Sequence, residues 1–268
     1  MSRRTETLKS KQRYPQGINE DVKTSFALKT KLKPKNYSQE LYVESLKTNT
    51  ITIGKGPAGV GKTFIVTAVA LEKLVNNEIE KIVLTRPVVE AGEALGFLPG
   101  DLKEKLHPYL LPLLDSIEDH VGPFMLQKLM EQGKIEVAPL AFMRGRTFNN
   151  AFVILDEAQN TTREQMRMFL TRLGYNSQFC INGDPTQSDL ELQINAEHGL
   201  AWAVRKLRGA LAEVSIVEFR SKDIVRNPLI GKLLAYLDSP DTKVREIQTD
   251  IKVNGSNNLA KNKAIQVS

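Results

Sequence analysis

The sequence has little of what marks a secreted or a membrane protein. Its 268 residues include one cysteine, Cys180, so no intrachain disulfide and no multi-thiolate zinc site can form. No apolar run approaches the ~20 residues that a membrane-spanning helix needs. The first residues, MSRRTETLKSKQR, contain no apolar segment of the kind found in secretory signals. We therefore expect a cytoplasmic protein that makes no contact with a membrane.

Acidic residues are scarce at the start of the chain. Residues 1–35 hold 10 Lys and Arg against 3 Asp and Glu, whereas the remaining residues nearly balance, with 27 against 28. The segment also has few large apolar residues, which predicts a flexible basic arm over residues 1–35. The arm is either a solvated tail or an electrostatic contact for nucleic acid. At the other end, the polar composition of residues 241–268 predicts a disordered tail and leaves residues 36–240 as the folded domain.

Strand-like and helix-like segments alternate through residues 49–237. Because strands that alternate with helices pair in parallel, the pattern predicts an α/β fold with one mostly parallel sheet and helices on both faces. Six segments have the apolar or β-branched character of strands, namely TITIG (50–54), KIVLTRP (81–87), KIEVAPL (134–140), AFVILDEA (151–158), QFCIN (178–182) and EVSIVEF (213–219). Between residues 88 and 133, prolines 99, 108, 112 and 123 predict two or three helices with breaks at the prolines.

The stretch GPAGVGKT lies between the first predicted strand and a predicted helix. It matches the phosphate-binding pattern G-x-x-x-x-G-K-S/T in the structural context that the pattern requires. In such a P-loop the backbone N–H groups and the helix N-terminus hold phosphate oxygens. We expect Lys62 to reach the β- and γ-phosphates and the Thr63 hydroxyl to bind Mg²⁺. The nucleotide-binding residues are predicted to be Gly56, Pro57, Ala58, Gly59, Val60, Gly61, Lys62 and Thr63.

The apolar run AFVIL is followed at once by Asp156 and Glu157. Because ligands of open parallel sheets bind at the carboxyl ends of the strands, both carboxylates are predicted to face the phosphates. Asp156 is expected to hold Mg²⁺, and Glu157 to act as the general base on the attacking water. Together with the extra strands between this run and the P-loop, the adjacent glutamate favours a hydrolase over a small-molecule kinase. The alternative is an exposed acidic pair in a loop.

Two further segments follow strands and carry polar groups suited to a γ-phosphate. In GDPTQ, a tight turn directs Gln187 toward the nucleotide edge, where its amide can sense the γ-phosphate; a plain Asp-Pro turn is the alternative. In DIVRN, Arg226 can stabilise the charge of a transferring phosphoryl group, or it can pair with Asp223 instead.

The motifs GPAGVGKT, DEAQN, GDPTQ and DIVRN, in this order, resemble those of the PhoH family of P-loop ATPases, which is similar to the first lobe of superfamily 1 helicases. The resemblance covers residues 36–237 and includes TRPVVEAGEALGFLPGDLKEK (85–105), PYLLPLLD (108–115) and FMRGRTFNNAFVILDEAQN (142–160). It implies a single RecA-like P-loop NTPase domain that uses ATP and Mg²⁺.

The resemblance also implies roles for residues that spacing alone does not identify. Gln39 is expected to recognise the adenine edge, unless it is an ordinary glutamine on a helix surface. Arg86, Arg144 and Arg146 are candidate contacts for nucleic-acid phosphates, although the first can be structural and the last two can equally pair with surface acids.

The resemblance to one lobe of a two-lobed motor leads to a hypothesis about assembly. A helicase closes ATP between two lobes, whereas this chain has one, so a second copy is expected to supply Arg226 in trans within a homo-oligomer, a closed hexameric ring. Single-stranded RNA or DNA is the expected partner and RNA helicase activity a possible outcome. Two alternatives stay open: an ATP-gated assembly or regulatory protein that moves no strand, and ribonuclease activity within the ATPase core.

Overall fold

The computed structural model describes residues 26–29, 31–87, 102–188, 190, 197–225 and 229. Six helices and six strands alternate through these ranges. The helices are α1 (Tyr37–Thr48), α2 (Lys62–Val75), α3 (Leu102–Val121), α4 (Pro123–Glu131), α5 (Arg163–Leu170) and α6 (Gly199–Leu207). The strands are β1 (Ile51–Lys55), β2 (Lys81–Thr85), β3 (Ile135–Val137), β4 (Ala151–Leu155), β5 (Gln178–Gly183) and β6 (Val214–Glu218). Short 3₁₀ turns cover Leu140–Met143, Ala158–Asn160 and Ser221–Asp223.

The six strands form one sheet in the order β3-β2-β4-β5-β1-β6, and every pair of neighbours is parallel. This confirms the predicted α/β fold, with each of the six predicted strands in place. In the sheet, β5 lies between β1, which leads into the P-loop, and β4, which leads into Asp156. All five residues of β4 are buried, as expected for a parallel strand covered on both faces.

Helices cover both faces of the sheet, as predicted. Neighbouring residues of β5 illustrate the two cores, because Cys180 packs into one and Phe179 and Ile181 pack into the other. Helices α1, α2, α3 and α4 cover the first face, and α5 and α6 cover the second. Among the residues that the structure describes, no helix has the length and apolarity to span a membrane.

Helix α3 continues through two of the prolines that were predicted to break it. The prediction of breaks at Pro108 and Pro112 is therefore wrong, whereas Pro123 does stand at the first position of a new helix. Each interior proline costs a helix about 3 kcal/mol. Four apolar side chains of α3 are buried against the sheet and α2, and burying such side chains stabilises by about 1.5–3 kcal/mol each. They are Leu110, Leu113, Leu114 and Ile117. Tertiary packing thus outweighs the local preference.

The packed domain begins earlier than residue 36. Phe26, Leu28 and Leu32 pack against the core face formed by α1 to α4, and the backbone N–H of Lys29 donates to the carbonyl of His120 at 2.8 Å. Residues 26–29 and 31–35, which were predicted to belong to the basic arm, therefore include side chains that pack against the folded domain. The predicted arm before residue 26, Pro99 and the predicted tail over 241–268 lie outside the described residues.

Candidate nucleotide-binding site

The segment between β1 and α2 has the backbone shape of a phosphate-binding loop. Gly56, Gly59 and Gly61 have φ angles of 142°, 84° and 88°, in the region that favours glycine. Gly61 immediately precedes the first residue of α2, Lys62, so the loop ends at the helix N-terminus. The N–H groups of a helix N-terminus point outward and attract anions, which suits this loop to phosphate.

Lys62 and Gln39 hold the loop from two sides. The Lys62 ammonium donates to the carbonyl oxygens of Gly56 at 2.6 Å and Pro57 at 2.9 Å. On the other side, the buried amide of Gln39 donates to the carbonyl of Val60 at 2.9 Å and accepts from the Lys35 N–H at 2.7 Å. These hydrogen bonds hold the P-loop in its curved conformation, and the Lys62 ammonium lies against the loop carbonyls.

A cavity of about 520 Å³ opens beside the loop at the carboxyl ends of the strands. It brings together residues from the P-loop, from the ends of β2, β4 and β5, and from α3. Its lining consists of Ala58, Gly59, Gly61, Lys62, Thr63, Phe64, Arg86, Pro112, Asp115, Ser116, Asp119, Asp156, Glu157, Gly183, Asp184 and Gln187. Five predicted P-loop residues thus line the cavity, while Gly56 and Pro57 hold Lys62 and Val60 is buried beneath the loop.

Asp156 and Thr63 provide a pair of oxygen ligands. The Thr63 hydroxyl donates to the Asp156 carboxylate at 3.5 Å, and the carboxylate is 7% exposed. Burial, with the charge of Glu157 as the next cause, raises the pKa of Asp156 to about 6. A divalent cation would relieve this unfavourable charge, and carboxylate and hydroxyl oxygens are ligands that Mg²⁺ prefers. The two residues therefore fit the predicted magnesium role.

Glu157 is held in an unusual conformation. Its φ of 52° is left-handed, which is rare for a residue other than glycine. One carboxylate oxygen pairs with Arg86 at 3.3 Å, and the other accepts from the Gln159 amide at 2.5 Å. The carbonyl of the same Gln159 amide accepts from the Asp184 N–H at 3.0 Å. Side-chain contacts therefore connect the ends of β2, β4 and β5 around the predicted general base.

The GDPTQ turn also reaches the cavity. The Gln187 N–H donates to the Asp184 carbonyl at 3.1 Å, and Gln187 is one of the residues that line the cavity. One oxygen of the Asp184 carboxylate accepts from the N–H and hydroxyl of Thr186. Its other oxygen is buried and has no hydrogen-bond partner among the residues that the structure describes.

Helix α3 supplies cavity residues that the sequence reasoning missed. Asp115, Ser116 and Asp119 line the cavity opposite the start of α2, where Ser116 shares a hydrogen bond of 2.8 Å with Thr67. Phe64, directly after the P-loop in α2, lines the cavity on the facing side and is 40% exposed. Asp115 ends the segment PYLLPLLD without an assigned role, and no motif marks the other residues. The predicted breaks at Pro108 and Pro112 hid the continuity of the helix that carries Asp115, Ser116 and Asp119.

The remaining predicted residues fall at several places. Arg86 lies in the nucleotide cavity. Arg146 pairs with Glu136 at 2.5 Å and lies over the ring of Phe148, which accords with the alternative of a surface ion pair. Arg144 is exposed at the end of the 3₁₀ turn Leu140–Met143. Arg226 lies outside the described residues.

A P-loop at the end of β1, a carboxylate pair at the end of β4 and a sheet with one strand between them define a P-loop nucleoside triphosphatase. Residues 31–238 match the family of PhoH-like proteins. The chain is 48% identical to a PhoH-like protein of Bacillus subtilis over 86% of its length and 71% of that protein. It is 51% identical to a PhoH-like protein of Mycobacterium tuberculosis over 76% of its length and 57% of that protein. The chain belongs to the PhoH-like protein family.

The matches do not extend over whole relatives. The protein PhoH of Escherichia coli is 44% identical over 75% of this chain, and the match covers 56% of that protein. The chain thus spans little more than half the length of several relatives. Among solved structures, the large terminase of bacteriophage D6E gives a TM-score of 0.47 at 9% identity, over 78% of this chain and 51% of that one.

Proposed function

We propose that the protein is a magnesium-dependent ATPase whose turnover is coupled to single-stranded nucleic acid, with RNA as the preferred strand. The observation that carries the hydrolytic part is the single cavity that contains the P-loop, Asp156, Glu157 and Gln187. Phosphoryl transfer depends mainly on position and charge, and this cavity has a phosphate cradle, two carboxylates and an amide at one sheet edge. When bound, Mg²⁺ would neutralise charge on the phosphate oxygens, and Thr63 and Asp156 would hold it.

The preference for ATP rests on Gln39. Gln39 lies in the first turn of α1, and its side-chain amide donates a hydrogen bond to the Val60 carbonyl of the P-loop. An amide offers one donor and one acceptor, the pattern that the adenine edge requires. Each end of the amide bonds to protein in this structure and keeps one further N–H or lone pair with which it can meet the adenine edge.

The coupling to nucleic acid is supported by charge and by the resemblance to a helicase lobe. The excess of positive charge lies within residues 1–35, while the remainder of the chain is nearly neutral. Such a segment attracts the phosphates of a strand without reading its sequence. Unwinding of RNA is the activity proposed for an assembled ring.

The proposed assembly is a closed hexamer in which subunits share ATP sites. Its support is the one sheet that the described residues form, which corresponds to a single lobe of a two-lobed helicase. The Val225 N–H donates to the Gly59 carbonyl at 3.0 Å, so the described chain reaches the P-loop of its own subunit one residue before Arg226. Whether Arg226 acts in that site or in a neighbour's is therefore a matter for experiment.

ATP turnover measured with and without single-stranded RNA tests the proposed function. We expect Mg²⁺-dependent turnover that RNA raises several-fold, and removal of residues 1–25 should lower the salt dependence of RNA binding by ~0.7 in log–log slope for each lost phosphate contact. Turnover that RNA leaves unchanged would instead indicate an ATP-gated regulatory protein. Equal stimulation by DNA would remove the RNA preference, and RNA degraded during the assay would indicate the ribonuclease alternative.

Mixing two inactive variants tests the shared site. Lys62→Ala removes the phosphate-binding ammonium and Arg226→Ala removes the predicted trans cation, so each variant alone is expected to be inactive. In a mixed ring, some sites combine an intact Lys62 with an intact Arg226 from the neighbour, and up to about a quarter of wild-type turnover is expected to return. No recovery at any mixing ratio, with mixed particles confirmed by mass, would contradict sharing.

A further inference from the structure

Both oxygens of the carboxylate that the proposed hydrolysis needs as a base already have a protein partner. One oxygen of Glu157 pairs with the Arg86 guanidinium, and the other accepts from Gln159. A carboxylate acts as a general base only when an oxygen is within hydrogen-bond reach of the water it deprotonates. Each oxygen can accept a second hydrogen bond, so the two partners restrict the directions from which water can approach Glu157, and loss of one of them opens the carboxylate to water.

Arg86 is the partner that a nucleotide can remove. It follows the last residue of β2 and lines the nucleotide cavity, and its side chain is 26% exposed. Its other guanidinium nitrogen, Nη1, donates to the backbone carbonyl of Tyr109 in α3 at 3.1 Å. This second bond holds the guanidinium at the cavity wall, so that its contact with Glu157 can be replaced by a contact with phosphate while Arg86 stays in the cavity. Gln159, by contrast, is buried and also bonds to the backbone of Asp184.

The chemistry of the guanidinium favours such an exchange. Among the described residues of the lining, Lys62 and Arg86 are the two cations that can meet a phosphate, and the Arg86 guanidinium is paired with the Glu157 carboxylate. A guanidinium binds phosphate oxygens in a fork geometry and prefers them to a partly solvated carboxylate when the phosphate carries more charge. The terminal phosphate of ATP brings that charge into the same cavity.

We propose that Arg86 is a catalytic residue that moves from Glu157 to the γ-phosphate when ATP binds, and thereby frees Glu157 to act as the base. This inference rests on the proposed ATPase function and deepens it. In the reaction, Glu157 accepts a proton from water as the water oxygen bonds to the γ-phosphorus. The bond from that phosphorus to the bridging oxygen breaks, and its electron pair leaves with ADP. Arg86 holds the charge on the non-bridging oxygens.

Two properties follow from this exchange. ADP has no γ-phosphate, so it leaves the Arg86–Glu157 pair intact and the base engaged. The chain also carries a cation within its own cavity for the phosphoryl group, and this cation acts together with Arg226. An arginine that stabilises phosphoryl transfer contributes roughly 10³–10⁵ in rate where it operates fully.

Arg86→Ala, Arg86→Lys and the control Lys81→Ala test the proposal. Lys81 lies at the opposite end of β2 and pairs with Glu136 at 2.9 Å, so its removal deletes a cation and an ion pair away from the cavity. For Arg86→Ala we expect at least about 100-fold lower kcat and about fivefold to tenfold weaker ATP binding, with ADP binding within about twofold of wild type. The kcat and the ATP affinity of Arg86→Lys should lie between those of Arg86→Ala and wild type, because lysine keeps the positive charge but lacks the two parallel N–H donors of a guanidinium. Lys81→Ala should match wild type.

Each other outcome overturns the proposal in a defined way. Equal losses of ATP and ADP affinity would show that Arg86 merely supports the fold of the site. A kcat of Arg86→Ala within about fivefold of wild type would show that Arg86 does not contact the reacting phosphate. Raised turnover without RNA, together with lost RNA stimulation, would show that a strand phosphate takes the guanidinium. If wild-type protein hydrolysed no ATP, the proposed function would fail, whereas the ATP and ADP affinities of the variants would still decide where Arg86 binds.

Discussion

Replacing Glu157 by glutamine is expected to reduce ATP turnover by about 10²–10⁴-fold while ATP still binds. Glutamine has nearly the size of glutamate and can still contact Gln159, but it cannot accept a proton from water. Its neutral amide also no longer pairs with Arg86, which at present bonds to Glu157 at 3.3 Å. ATP affinity should therefore equal or exceed that of wild type. Single-turnover hydrolysis and equilibrium binding of ATP measure the two effects separately.

Glu78→Gln is the matched control for this change. Glu78 pairs with Lys73 at 3.1 Å in the connection between α2 and β2, and this connection precedes β2 at the amino end of the sheet. Its loss should cost about 1 kcal/mol of stability, because Glu78 is half exposed and the buried Lys73 keeps the Lys47 carbonyl as a second partner. Turnover by the control should be unchanged. If Glu157→Gln kept more than a tenth of wild-type turnover, another group would have to be the base.

Replacing Gly56 by alanine is expected to destabilise the protein by about 2–4 kcal/mol and to weaken ATP binding strongly. A Cβ at this position would lie 2.5 Å from the Phe219 carbonyl oxygen and 2.7 Å from the Phe219 Cβ. The φ of 142° adds backbone strain for any residue with a side chain. Relief of the clash must move Gly56 away from Phe219, which follows β6, and this displaces the start of the P-loop, where the Gly56 N–H donates to the Gly183 carbonyl at 3.1 Å. Chemical denaturation measures the first effect and nucleotide titration the second.

Gly133→Ala is the control that separates backbone strain from the steric clash with Phe219. Gly133 also has a positive φ, 66°, but an added Cβ would meet no described atom within 4 Å. We expect it to cost about 1 kcal/mol, the penalty of a left-handed conformation alone. ATP binding should not change. Equal destabilisation by the two substitutions would mean that the contact with Phe219 does not constrain the loop.

Local sequence determined the sheet and most of the phosphate site. The runs IVL, FVIL and FCI are apolar at successive positions, and such runs become strands buried on both faces of a parallel sheet. GPAGVGKT carries its conformation in its own glycines, because their φ angles are open to few other residues. Asp156 and Glu157 follow a strand directly, and the carboxyl ends of parallel strands lie at the same edge of a sheet, so the sequence alone predicts their position at that edge.

Contacts between distant segments decided the rest. Helix α3 continues through Pro108 and Pro112 because its leucines are buried against α2 and the sheet. The free energy of this burial is not part of any helix propensity that is assigned to single residues. Arg86 lies 71 positions before Glu157 in the chain, and only the adjacency of β2 and β4 makes them an ion pair. Gln39 meets Val60 through the packing of α1 beside the P-loop. The sequence alone determined which groups can bind phosphate, since local backbone geometry is encoded locally. Which partners hold those groups was decided by the tertiary structure, because such contacts depend on burial and strand order.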